Sequence, residues 1–309
     1  MPNNTAATGH QGNFLVFLCY GNIGIFHECA YALLTLSRLY GGKLPDDWEI
    51  WIYTDKPEFF RALGGCPLPL HYRTLDAATI QQWKGPHGFV HRVKIALLQE
   101  FAAAHTGNIL YSDTDVVFSD RLEPVFSKIG YGSLYMHVAE GIVGEGHNPV
   151  LTKLAKHTRR HHLQSPSGQP LAQMVMWNAG VLGFNSRLAT LLEGVLEFTD
   201  REYGRFPKHI VEQFAFSVYF GQHGPIKSAA HYITHYWNLK EARHVLEAFF
   251  VKYASSPWSE LADYSQLIHI PVMMQDKANF YRNRSLAGKM LKKTWLPAVP
   301  NWEELVRQL

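Results

Sequence analysis

Asp113 and Asp115 stand one residue apart at the end of an apolar run, Ile109-Leu110-Tyr111-Ser112, and Val116-Val117-Phe118 follows at once. Placing carboxylates along an apolar strand is costly unless a cation needs them. Side chains alternate along an extended backbone, so acids at i and i+2 share one side of it. Two hard oxygen ligands on one side suit Mg²⁺ or Mn²⁺, ions that commonly travel with phosphates. An isolated D-x-D can also be a plain strand-to-turn exit with solvated acids, so the rest of the chain has to decide.

The elements that would position these acids can be read in order. Phe14 to Tyr20 is a buried-strand pattern, Gly21-Asn22-Ile23-Gly24 a turn, and Phe26 to Tyr40 a helix stopped by Gly41-Gly42. Glu49 to Asp55 is a second strand, broken by Lys56-Pro57, and Leu68 to Tyr72 a weaker one. Val90 to His105 reads as a helix running into Gly107, and the acidic strand from Ile109 follows. Alternating strands and helices predict an α/β protein with a mostly parallel sheet and helices on both faces. Ligands bind such sheets at the carboxyl ends of the strands, where Tyr20, Asn22, Asp55, Asp113 and Asp115 all fall. Further on, the pattern predicts a strand over Gly130 to Met136 and a basic helix over Pro149 to Leu163. One strand is expected from Val175 to Asn185, interrupted by Asn178-Ala179-Gly180. Helices over Leu188 to Tyr203 and Ile210 to Phe220, a short strand within Ala229 to Tyr236 and a helix over Glu241 to Tyr253 complete the reading.

Composition narrows the classes. At 309 residues the chain can bury one large core or two modest ones. A net charge of +3 is too small to imply nucleic acid, although 17 histidines would make the surface more positive in mild acid. Cys19, Cys29 and Cys66 match no metal or redox spacing and read as reduced thiols, which favours the cytosol. Met1 to Asn13 lacks the basic start and apolar centre of a signal peptide, and no apolar run is long enough to span a bilayer.

Further polar residues line up around the acids. Arg92 and Lys94 lie on the preceding helix, Asn178 and Gly180 interrupt a later strand, Glu212-Gln213 opens a helix, and His235-Tyr236-Trp237-Asn238-Leu239-Lys240 closes the set. This order resembles the GT-A-fold (Rossmann-like) glycosyltransferases, and most closely their family 8, which includes glycogenin and bacterial galactosyl- and glucosyltransferases. That family has an Arg-containing helix, an L-Y-x-D-x-D-V strand, an N-x-G strand, a D-Q helix start and a late H-x-x-G-x-x-K-P-W. The resemblance runs from Phe14 to Lys240. Glu212 replaces the usual Asp, Asn238 stands near the usual Gly, no Pro-Trp follows Lys240, and the uracil-binding acid after the first strand is absent.

The resemblance implies a GT-A catalytic domain over 14–250; the polar residues 1–13 before it are expected to form a flexible tail, and residues 251–309 after it a helical C-terminal extension. It implies a metal-dependent transfer of a hexose from a nucleotide-sugar, with a UDP-sugar as the expected donor, to an acceptor hydroxyl with retention. Asp113, Asp115 and His235 would hold Mn²⁺ or Mg²⁺, Asp113 would also touch the ribose, and Lys240 would offset diphosphate charge. Arg92, Lys94, Asn178 and Gly180 would surround the sugar and phosphate, with Glu212 on the sugar and Gln213 beside the anomeric carbon. Tyr20, Asn22 and Asp55 would line the nucleotide pocket. Gln213 is an amide and no carboxylate nucleophile is evident, so same-face transfer with the leaving phosphate as base is expected. The acceptor would be a glycan, a lipid-linked sugar or a protein. Basic segments at Lys153 to His162 and Tyr281 to Trp295 suggest peripheral contact with the inner membrane face, although a solvated helix face explains the first as well. Two alternatives remain: a nucleotidyltransferase and a non-catalytic nucleotide-sugar-binding protein. Nucleotidyltransferases carry a Gly- and Lys-rich phosphate loop after the first strand, and Gly21 to Phe26 has no Lys or Arg.

Overall fold

The computed structural model describes residues 12–146, 148–284 and 294–307. Strand β1 (Gly12–Cys19) is an almost unbroken apolar run, as expected of a central strand covered on both faces. It leads into α1 (Ile23–Leu39), capped by Asn22, whose side chain accepts from the Gly24 N–H at 2.8 Å. Strand β2 (Trp48–Thr54), α2 (Pro57–Arg61), β3 (Leu70–Thr74), α3 (Ala77–Trp83), α4 (Arg92–Ala104) and β4 (Gly107–Ser112) follow. Next come β5 (Val116–Phe118), α5 (Glu123–Gly130), β6 (Leu134–Met136), β7 (Ala139–Ile142) and α6 (Pro149–Arg160). Strands β8 (Val175–Trp177) and β9 (Val181–Asn185) precede α7 (Leu191–Arg205) and α8 (Ile210–His223). Strands β10 (Ile226–Ser228) and β11 (Ile233–His235) lead to α9 (Ala242–Lys252), α10 (Trp258–Tyr264) and α11 (Ile270–Asn283).

The main sheet has seven strands in the order β10-β6-β9-β4-β1-β2-β3. All its pairings are parallel except those of β9, which is antiparallel to β4 and β6. Two short ribbons, β5-β11 and β7-β8, stand outside it. The period of two along β1 sorts the core: Leu15, Phe17 and Cys19 pack with α1, while Phe14 and Val16 pack with α4, α7 and α8. Helix α1 is buried almost all round, which suits its mostly apolar sequence. Removing one of its core side chains, Leu33→Ala for instance, should cost about 3 kcal/mol.

Residues beyond 250 share this core. Trp258 donates to Ser37 Oγ at 2.9 Å, Tyr31 donates to the Ile268 carbonyl at 2.8 Å, and Trp302 is buried in the same cluster. No helix among the described residues is long and apolar enough to cross a membrane.

Several sequence expectations need correction. The first strand begins at Gly12, inside the expected tail over 1–13, and residues 1–11 lie outside the described residues. Much of the basic Tyr281 to Trp295 stretch, with Lys289, Lys292 and Lys293, lies outside them too. The acidic strand is not continuous: β4 ends at Ser112, the chain bends through Asp113 to Asp115, and β5 joins a different ribbon. The stretch from Val175 to Asn185 likewise splits, because β8 pairs with β7 while β9 enters the main sheet.

Candidate metal and anion site

The site forms where the parallel strands end. Backbone hydrogen bonds pin its loops together. Asp113 N–H donates to the Gly180 carbonyl at 2.7 Å, and Tyr236 N–H to the Asp115 carbonyl at 3.0 Å. Just past β6, His137 N–H donates to the Asn178 carbonyl at 3.0 Å, and Asn178 N–H donates to the Val138 carbonyl at 2.8 Å. Asp113, Asp115 and His235 thereby place ligand atoms within 4.8 Å of one another. Ligands on opposite sides of a small divalent ion lie about 4.2 Å apart, twice the metal–oxygen distance, so this spacing is close to what Mg²⁺ or Mn²⁺ needs. The acids converge because the chain bends between two sheets. Strand alternation, the reason given by the sequence, does not apply.

The tautomer of His235 follows from its neighbours. Asn178 Oδ1 accepts the Gly180 N–H at 3.0 Å, and Asn178 Nδ2 donates to Glu140 Oε1 at 3.2 Å, which fixes the direction of the amide. Its oxygen therefore faces His235 Nδ1 at 2.9 Å, and Nδ1 must carry the proton. That leaves Nε2 turned toward Asp115 Oδ1 at 3.2 Å and Asp113 Oδ2 at 3.8 Å. With a cation between it and the two carboxylates, the imidazole can turn an Nε2 lone pair to that ion while Nδ1 keeps its proton on Asn178. The residues present thus fit a hard divalent ion.

Two lysines supply positive charge. Lys240 Nζ lies 2.6 Å from Asp115 Oδ2. Lys94 is buried; its ammonium donates to the Ala179 carbonyl at 2.9 Å and lies 3.3 Å from Asp113 Oδ1 and 3.2 Å from Glu212 Oε1. Burial alone would lower the Lys94 pKa, but Asp113 and Glu212 outweigh it and raise it. Burial likewise acts to raise Asp115, yet His235 and Lys240 hold it well below the usual carboxylate range. Glu212 has the opposite balance: burial, aided by Asp113 and opposed by Lys94, pushes it up to about 7. Its Oε1 makes a charge contact with Lys94 but no aligned hydrogen bond. Burial first, and His235 second, lower His137 to about 4.

The structure thus brings together Asp113, Asp115, His235, Lys240, Lys94, Glu212, Asn178 and Gln213. Gln213 Nε2 donates to Glu140 Oε2 at 2.9 Å, and its Oε1 stands 3.5 Å from the Ala179 N–H. Gly180 serves by being small: a Cβ there would fall 2.1 Å from the His235 ring. Arg92 does not join the cluster. It forms a bidentate pair with Asp200 on α7, at 2.7 and 3.0 Å, and donates to the Trp83 carbonyl. Two positions along a helix is about 200°, so Arg92 and Lys94 face opposite ways. Tyr20, Asn22 and Asp55 stand at the ends of β1 and β2 as expected. There Asp55 accepts the Gly21 N–H at 3.2 Å, and Asn22 is taken up in capping α1.

Sequence reasoning missed Glu140, which holds Asn178 and Gln213 with one carboxylate. A lone acid in a short irregular segment gives no signal. It also missed Glu28, which is buried on α1 and takes a bidentate pair from Arg243 at 2.9 and 2.8 Å. Here a signal existed, since Glu28 is the one acid within the apolar helix from Phe26 to Tyr40. Arg243 lies three positions after Lys240, so the pair anchors the loop that carries that lysine.

No family model and no curated protein matches this chain. Among solved structures it is similar to the glycosyltransferase GlyE of Streptococcus pneumoniae TIGR4, with a TM-score of 0.48 and 15% identity over 84% of this chain and 64% of that one. It is similar to mouse xyloside xylosyltransferase 1, with a TM-score of 0.45 and 13% identity over 70% of this chain and 84% of that one. The galactosyltransferase LgtC, in complex with donor and acceptor sugar analogues, gives a TM-score of 0.44 and 13% identity over 70% of this chain and 73% of that one.

Proposed function

We propose that this protein is a glycosyltransferase that uses a divalent ion, Mn²⁺ or Mg²⁺, and a nucleotide-sugar donor, a UDP-sugar by preference, to glycosylate an acceptor hydroxyl. The observation that carries the reading is the trio Asp113, Asp115 and His235, with the His235 Nε2 aimed at both carboxylates and Lys240 beside them. When bound there, a divalent ion would neutralise charge on the departing diphosphate. Lys240 adds a second positive charge on the exposed side, where a phosphate can reach it. Asn178 fixes the proton on His235, and Lys94 holds Asp113 in place. Gln213, oriented by Glu140, presents an amide to the sugar. Retention is proposed from the family 8 resemblance, and because a neutral amide is a weak nucleophile, same-face attack with the leaving phosphate as base is preferred to a covalent intermediate.

A thermal-shift panel of UDP-, GDP- and CMP-sugars with and without Mn²⁺ tests this reading. A shift for one donor that needs Mn²⁺ is expected. No shift for any donor would favour a binding role for some other ligand. Retention is checked by an NMR time course of the product anomer, and an inverted product would overturn it. The acceptor is proposed to be a glycan, a lipid-linked sugar or a protein in the cytoplasm. Contact with a membrane surface through α6, where Lys153, Lys156 and Arg160 are exposed, belongs to the same proposal. Salt-sensitive co-sedimentation with anionic liposomes tests that contact, and no binding at low salt would end it.

A further inference from the structure

The two lysines of the site are held in different ways. Lys94 is buried and has the Ala179 carbonyl, Asp113 and Glu212 around its ammonium. Lys240 has a side chain 54% exposed, and Asp115 is its hydrogen-bond partner at 2.6 Å. The loop beneath Lys240 is fixed at both ends, by Tyr236 N–H on the Asp115 carbonyl and by Arg243 on Glu28. Its stem is long and flexible, so the ammonium can move several ångströms while the backbone stays where it is.

Asp115 is also the carboxylate that a divalent ion at this trio would need. Its Oδ1 faces His235 Nε2 and its Oδ2 is taken by Lys240. An ammonium kept on that carboxylate would stand within about 4 Å of the ion, like charge against like charge. The two therefore compete for one place.

We propose that Lys240 is an exchangeable stand-in cation: it occupies Asp115 until a divalent ion takes that carboxylate, and then turns outward to the anionic group of the incoming ligand. This rests on the metal-dependent reading above. Lys240 keeps the paired acids compensated before the ion arrives. Afterwards the same charge is free on the exposed side of the site, where a diphosphate would lie. Binding of the ion thereby prepares the lysine for the anion, with no movement of the loop.

The experiment is acylation of lysine amines on the full chain by an N-hydroxysuccinimide acetate, read at Lys240 by peptide mass spectrometry, with and without saturating Mn²⁺ and no other ligand. Lys240 should label several-fold faster with Mn²⁺. Lys277, held by Glu241 and the Asn238 carbonyl, should label equally in both conditions and serves as the internal reference. Independently, Mn²⁺ titration followed by electron paramagnetic resonance should show about tenfold tighter binding for Lys240→Gln. Lys277→Gln, which removes the same charge from the same neighbourhood, should change affinity less than twofold. If Mn²⁺ binds the wild-type chain while Lys240 labels at the same rate or more slowly, the exchange is overturned and the metal site stands. Weaker Mn²⁺ binding by Lys240→Gln would overturn the exchange in the same way. If the wild-type chain binds no Mn²⁺, the metal-dependent reading falls and the exchange falls with it.

Discussion

The strands β1, β4 and β9 carry a polar network at each end, and the two networks are built differently. At the amino end of β1 and β4 the network is a ladder of amides. Asn13 donates to Asp47 at 2.6 Å, Asn108 to Asn13 at 2.9 Å, Asn185 to Asn108 at 2.8 Å, and Arg187 Nε to Asn185 at 2.9 Å. The register sets Asn13 opposite Asn108 and Asn108 opposite Asn185, so each donor meets an acceptor. At the carboxyl end, the carboxyl groups of Asp113, Asp115 and Glu212, two lysines and two histidines converge, and among the described residues Glu212 Oε1 and His137 Nδ1 have no hydrogen-bond partner. A network that serves only the fold closes on itself. One that keeps acceptors aimed at a common point retains bonding capacity for something that binds.

Substitutions should separate the two ends by what they damage. Asp115→Ala should have the largest effect, weakening Mn²⁺ binding more than about 100-fold by removing a ligand. The chain should still fold, with a lower melting temperature, because the buried His235 Nε2 loses its partner while Lys240 is exposed enough to be resolvated. Unaltered Mn²⁺ binding in a titration would mean these acids are only a strand exit. Gly180→Ala comes next. Its new methyl would collide with the His235 ring, so Mn²⁺ affinity should fall about 10- to 100-fold. Affinity equal to wild type would show that His235 takes no part.

At the other end, Asn108→Ala should leave Mn²⁺ binding as it is and reduce unfolding stability by about 3 kcal/mol. It strands Asn13 Oδ1 and the Asn185 amide at once. Denaturant titration measures this, and a loss of Mn²⁺ affinity in this variant would erase the contrast between the ends. The smallest effect is a change of slope. Glu212 has its pKa lifted to about 7 from 4.5, chiefly by burial, so the folded chain keeps a proton there that the unfolded chain has lost. The stability from this group is complete below pH 4.5 and fades as pH rises through 7. Wild type should therefore lose up to about 2 kcal/mol relative to Glu212→Gln across that window. A stability gap that stays constant from pH 5 to 8 would refute the shift.

The sheet was legible because β1, β2 and β4 are long apolar runs separated by amphipathic helices, and local pattern suffices for such elements. The bend at Asp113 to Asp115 was not. β5 continues the apolar run, and only its pairing with β11, far along the chain, shows that it belongs elsewhere. The split of Val175 to Asn185 escaped for the same reason. Among candidate site residues, the acids, His235 and Lys240 carried a motif. Glu140 acts through partners distant in sequence and had no motif, and Glu28, whose partner Arg243 is also distant, left only the sign of a lone acid in an apolar helix. Arg92 was misplaced because a helix position alone does not say which face it lies on, and Asp200, which holds it, sits on another helix.

The pairing of β5 with β11 has a consequence for how the chain acquires its site. Asp115 and His235 are 120 positions apart, and the short ribbon that brings them together closes that whole span. Long-range closures of this kind form late, after local contacts have offset their entropy. The candidate site draws on residues from the middle of the chain and on residues as far along as Lys240. A growing chain cannot complete this site until His235 and Lys240 have been synthesised, and a cation held there would act as a clasp between the middle of the chain and this later segment.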